Sequence, residues 1–87
     1  MEKLVYCLKD TKAGFLSPTL SDSDATAIRS FSLLVNDKRE TLVAQCPEDF
    51  ELYALGSFDS NTGILHSSEP RFVARGADVK KVGDVNA

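Results

Sequence analysis

Apolar side chains in this chain recur first at every second position, then at every third or fourth, then at every second again. That order predicts strands, a helix and more strands. The run Lys3-Leu4-Val5-Tyr6-Cys7-Leu8-Lys9 is fenced by charge and partly β-branched and aromatic. Leu4, Tyr6 and Leu8 share one face of a strand, Val5 and Cys7 the other, so the strand is expected to be central. Asp10-Thr11-Lys12-Ala13-Gly14 reads as a turn, and Phe15-Leu16-Ser17 as a short return strand stopped by Pro18.

Ser21-Asp22-Ser23-Asp24 offers side-chain oxygens to the free N–H groups of a helical first turn, and its carboxylates suit the positive end of the dipole. Ser21 and Asp24 have the spacing of a capping box. Ala27, Ile28, Phe31, Leu34 and Val35 then form one apolar stripe, and Asn36-Asp37 is a stop. The spacing predicts a helix over roughly 22–36. Lys38 to Thr41 is a polar connection, and Leu42 to Gln45 fits either a short helical turn or an irregular cover for the core.

Pro47-Glu48-Asp49 opens a second sheet segment, in which Phe50, Leu52, Ala54 and Phe58 alternate with Glu51, Tyr53, Leu55 and Ser57. Asp59-Ser60-Asn61-Thr62-Gly63 fits a type I turn closed by a left-handed glycine. Ile64 to Ser67 returns as the partner strand, Pro70 breaks it, and Arg71-Phe72-Val73-Ala74-Arg75 is a last strand at an edge. Residues 77–87 lose apolar density and read as a flexible tail after a single domain over 1–76. The sum is an α+β fold, a small antiparallel sheet of about four to five strands with one helix packed on one face.

At 87 residues the chain buries a thin core, roughly 60–65% of its unfolded surface, and a dimer or higher assembly is expected. The 43% hydrophobic and 26% charged composition is that of an ordinary globular protein. Cys7 reads as a small buried hydrophobe and Cys46 as a loop residue, with no zinc spacing around the one histidine, His66. No apolar run approaches membrane-spanning length and no leader is recognisable, so a cytoplasmic protein without a membrane role is expected.

Catalysis needs a nucleophile beside a base, paired carboxylates or a metal. His66 neighbours Ser67 and Ser68, but successive strand residues point to opposite faces. Asp22 and Asp24 are accounted for by capping, and Asp59, Asn61 and Gly63 by a turn. No enzyme, metal or cofactor is expected.

Single-strand binders combine cations with exposed aromatic faces on which bases stack. The candidate cations are Lys3, Lys9 and Lys12 on the first hairpin, Arg29 on the helix, Lys38 and Arg39 after it, and Arg71, Arg75, Lys80 and Lys81 near the C-terminus. Tyr6, Tyr53 and Phe72 are the aromatics expected to show an edge. The alternative is that these cations are solvated charges guarding strand edges, with the rings in the core. A net charge of −3 argues against a nonspecific polycation but permits a local basic patch.

Leu4-Val5-Tyr6 with Asp10, Phe15-Leu16-Ser17-Pro18, Asp24-Ala25-Thr26-Ala27-Ile28-Arg29-Ser30-Phe31, and above all Pro47 through Asp59 followed by Thr62-Gly63, resemble the small nonstructural protein of gokushoviruses, the Microviridae-type single-stranded DNA bacteriophages. The resemblance runs over about residues 3–76. It implies an early-acting DNA-binding protein of the host bacterial cytoplasm that assists the switch to single-stranded genome synthesis and packaging. It brings no catalytic residues; Arg29 is the cation within the matching helix with a claim on phosphate. Two expectations of different class result. One is an accessory single-stranded-DNA-binding protein using Lys3, Lys9, Lys12, Arg29, Arg71, Arg75, Tyr6 and Tyr53. The other is an adaptor that acts on host replication or phage packaging proteins through an exposed edge strand.

Overall fold

The computed structural model of the chain describes residues 1–81. The charge-fenced apolar run becomes the long strand β1 (Glu2–Asp10), around which the sheet is assembled. One edge of β1 receives two short pieces: β2 (Gly14–Phe15), opposite Lys9 and Asp10, and β3 (Thr19–Ser21), opposite Leu4, Val5 and Tyr6. Its other edge pairs with β4 (Phe50–Asp59), from Glu2 opposite Asp59 to Asp10 opposite Phe50. β5 (Leu65–Arg75) returns along the far side of β4, giving the antiparallel order β2-β1-β4-β5.

Helix α1 (Asp24–Val35) lies on one face of this sheet. Its predicted stripe is buried at Ala27, Phe31 and Val35, which meet Tyr6, Phe50, Leu52 and Ala54 from the strands. Leu4, Leu8 and Ile28 pack at the margin. Leu34, predicted on the stripe, remains 43% exposed. The expected α+β architecture and the central position of β1 both hold.

Local chemistry explains where boundaries differ from the sequence expectation. α1 begins two residues later than predicted, because Ser21 is committed to β3 opposite Leu4. Ser23 is the cap instead, its hydroxyl accepting from the Thr26 N–H at 3.2 Å. Asp22 and Asp24 are thereby free for Lys3 and Arg71 rather than spent on capping. β3 itself is unpredicted: Thr19, Leu20 and Ser21 are too few to show a period. Leu42–Gln45 forms a short helix, α2, because the Thr41 hydroxyl accepts from the Ala44 N–H.

The 59–63 turn closes as expected, with the Gly63 N–H donating to the Asp59 carbonyl at 2.7 Å and Gly63 at φ +77°. Pro70, however, does not end the returning strand. β5 runs on to Arg75 because Ser68, Glu69 and Pro70 bulge out between Ser67, opposite Gly56, and Arg71, opposite Ala54. A bulge asks no ladder N–H of proline. A tail is expected from residue 77, but residues 77–79 are ordered against the domain. Gly76–Val79 forms a short helix, α3, and Val79 packs at the core margin. The Asn36 amide donates to the Val79 carbonyl at 3.0 Å, and its oxygen accepts from the Lys81 N–H at 2.9 Å. The rest of the predicted tail, residues 82–87, lies outside the described residues.

Candidate nucleic-acid interface

Antiparallel partners project to the same side of a sheet. Tyr6 opposite Ala54 and Leu8 opposite Leu52 therefore take the α1 face. On the face turned away from α1 are Cys7 opposite Tyr53, Lys9 opposite both Glu51 and Phe15, Phe72 opposite Tyr53, and Arg75 opposite Glu51.

Three rings form a row across this second face. Tyr53 stands at its centre, edge-on to Phe15 at 5.4 Å and to Phe72 at 5.8 Å between ring centres. Phe15 is 45% exposed and Phe72 49%, so the outer rings keep free surface. The Lys9 ammonium lies 5.5 Å from the centre of Phe15 and 5.9 Å from that of Tyr53, at cation–π range. Tyr53 donates its hydroxyl to the Glu51 carboxylate at 2.9 Å, which pins the ring and holds its phenol above the ordinary tyrosine range. Ring faces, a fixed tyrosine and a neighbouring cation are the components a base-stacking platform requires.

The structure brings only part of the expected site together. Lys9, Tyr53 and Arg75 share the platform face, and Lys12 sits in the turn beside it. Among the described residues Arg75 has one distant ion-pair contact, to Asp78 at 3.9 Å, with both side chains more than half exposed; such pairs contribute about 0–1 kcal/mol and exchange readily. The Lys12 ammonium is 3.9 Å from Asp49. Lys3 is held by Asp22 at 2.5 Å. Arg39 pairs with Asp37, pulling that carboxyl down to about 2. Arg29 is exposed on α1 and, among the described residues, has no carboxylate within 4.0 Å; Asp24 pairs with Arg71 and Asp37 with Arg39.

One residue is corrected outright, and a second is engaged on the α1 side. Tyr6, expected to show an edge, is 1% exposed and cannot offer a ring to a base. Its hydroxyl donates to Asp24, and burial first, then that carboxylate, push the phenol up to about 12. Arg71 faces α1, giving Asp24 a two-pronged contact at 3.0 and 3.1 Å; this contact and the Tyr6 hydroxyl hold the Asp24 carboxyl below its usual range. Arg71 is thus paired with Asp24 on the α1 side while its side chain stays 55% exposed. Phe15 is the platform residue that sequence reasoning missed. The turn from Asp10 to Gly14 puts it opposite Lys9, so the hairpin register was the signal that could have found it.

Among the described residues, Cys46, Glu48 and Asp49 have donor atoms within 4.8 Å of one another. That spacing would admit a cation, but the Lys12 ammonium already attends Asp49. Cys7 and Cys46 are free thiols, and burial pushes the Cys7 thiol up. No helix among the described residues is long and apolar enough to cross a membrane.

A family model described as Phage ORF5 protein matches residues 3–79. No curated protein and no solved structure matches the chain.

Proposed function

The chain belongs to the Phage ORF5 protein family, and from that premise we propose that it is a non-catalytic accessory protein that holds single-stranded DNA on the open face of its sheet during genome replication or packaging. The observation that carries this reading is the Phe15–Tyr53–Phe72 row with Lys9 beside it. Soluble proteins normally turn large rings inward, and a row left outside is a cost unless something stacks on it. The resemblance of the 47–59 segment to gokushovirus nonstructural proteins supports a small single-stranded DNA phage and a site of action in the host bacterial cytoplasm.

The charge pattern shapes the binding. Lys9 and Arg75 are the cations on the platform face, while the chain as a whole carries −3. Affinity therefore comes mainly from stacking, about 1–3 kcal/mol per base. Two neutralised phosphates would give a shallow salt dependence, with a log–log slope of about −1.4.

Fluorescence anisotropy of a labelled oligo-dT, titrated at several salt concentrations, tests the proposal. Wild type is expected to bind at low salt with that shallow slope. Tyr53→Ala is expected to weaken binding about 5- to 150-fold, the equivalent of one lost stacking contact. Absence of binding at low salt, or a Tyr53→Ala variant that binds as well as wild type, overturns it. The adaptor reading gives the open edge of β5 a use for a foreign strand but leaves the aromatic row without one, and is ranked second for that reason.

A further inference from the structure

We infer that the open edge of β5 between Leu65 and Ser67 pairs antiparallel with the same edge of a second copy, joining two sheets into one continuous sheet. A further consequence, that the two aromatic rows then form one track, rests on the DNA-binding reading; the pairing itself does not.

The two outer edges of the sheet are treated differently. At the β1 side the edge is broken into β2 and β3 with Pro18 between them, a guarded arrangement. At the β5 side, no strand among the described residues pairs with the outer edge. Its guards, Glu69, Pro70 and the bulge, come only after Ser67. Before them Leu65, His66 and Ser67 form a regular ladder with Phe58, Ser57 and Gly56. Every residue from Asn61 to Phe72 is exposed, including Ile64 at 51% and Leu65 at 66%. Leu65 also borders a shallow apolar depression of about 240 Å³, formed with Val5, Pro18, Leu20 and Phe58.

Charge selects the occupant. Ser60 to Ser68 contains no Asp, Glu, Lys or Arg, in a chain of net charge −3. Two acidic copies repel one another over most of their surfaces; this strip lets them meet without like charges facing, and unlike the equally uncharged run from Ala13 to Ser21 it is not interrupted by a proline. Antiparallel pairing of a strand with itself is also self-complementary, as a two-fold interface requires. The regular stretch centres on His66, so His66 faces its counterpart and Leu65 faces the other copy's Ser67. That register sets Glu69 opposite Gly63, away from any carboxylate. The second copy supplies a strand of the same uncharged sequence by identity.

The symmetry has a geometric consequence. A two-fold axis through an edge-to-edge antiparallel pair stands perpendicular to the sheet, so both copies present the same face to the same side. The faces bearing Phe15, Tyr53 and Phe72 are then coplanar neighbours, and one strand of DNA can run across both.

Sedimentation equilibrium without DNA tests the pairing. Wild type is expected to dimerise reversibly by about 100 μM, a weak association befitting a short interface. Leu65→Lys, which places a guard charge on the edge, is expected to raise the dissociation constant at least about 10-fold with an unchanged circular dichroism spectrum. A wild-type monomer at that concentration, or a dimer indifferent to Leu65→Lys, overturns the inference. A second variant, His66→Cys with Cys46→Ser, removes dependence on one substitution. Mild oxidation is expected to give a disulfide-linked dimer, and its absence overturns the register. For the track, doubling the oligo-dT length beyond one protomer's footprint is expected to tighten binding at least about 10-fold in wild type and not in Leu65→Lys. Dimerisation without that gain overturns the track and leaves the pairing in place.

Discussion

The Tyr6 hydroxyl, the Asp24 carboxylate and the Arg71 guanidinium tie β1, α1 and β5 together at one point. The contact has opposite pH signatures at its two ends. Asp24 is held below its ordinary value of 3.8, chiefly by Arg71, so its contribution is present above that value and lost as pH falls through the lowered one. Tyr6 is raised from 10.0 to about 12, so its contribution is intact below 10 and lost as pH rises towards 12. Thermal melts across pH are expected to show both limbs. Tyr6→Phe should remove the alkaline limb and cost about 1.5–3 kcal/mol at neutral pH, the loss of a hydrogen bond to a charged acceptor. Asp24→Asn should flatten the acid limb. An alkaline limb that persists in Tyr6→Phe contradicts the assignment. The same triad accounts for the misread exposure of Tyr6 and for the engagement of Arg71: each meets an acid 18 or 47 positions away that no local pattern links to it.

At the scale of elements, the long strands and the main helix were legible because their periods extend over many residues. The Ala27, Phe31 and Val35 stripe, the alternation of Leu4, Tyr6 and Leu8, and the Asp59–Gly63 turn all carry enough repeats or a glycine in a position that demands one. β3 and α3 were not, since three or four residues show no period and are held by tertiary contacts, while α2 was one of two readings left open and its Thr41 cap decides it. The platform was half legible: alternation found Tyr53 and Phe72, while Phe15 needed the hairpin register. Gly56 illustrates a requirement visible only in three dimensions. It sits at φ +154°, and an added Cβ would lie 2.0 Å from the His66 carbonyl oxygen. Urea denaturation should find Gly56→Ala destabilised by at least about 2 kcal/mol, from backbone strain and overlap combined. Gly63→Ala, at φ +77° with open space around it, should cost only about 1 kcal/mol. Equal costs would contradict the β4–β5 approach described here.

The described residues span 46 × 27 × 19 Å, with a radius of gyration of 13.9 Å, against about 12 Å for a compact chain of this size. The length comes from a sheet that extends beyond its helical cover, with one face and one edge of β5 open. An acidic body of this shape does not coat DNA by charge. On the proposed function, it holds a few bases where rings are exposed and Lys9 is at hand. A map of amide and ring chemical shifts during titration with oligo-dT tests this most directly. The account predicts perturbations concentrated at Lys9, Phe15, Tyr53, Phe72 and Arg75, with α1 and its Arg29 unmoved. Shifts confined to α1, or none at any residue under low salt, would contradict it.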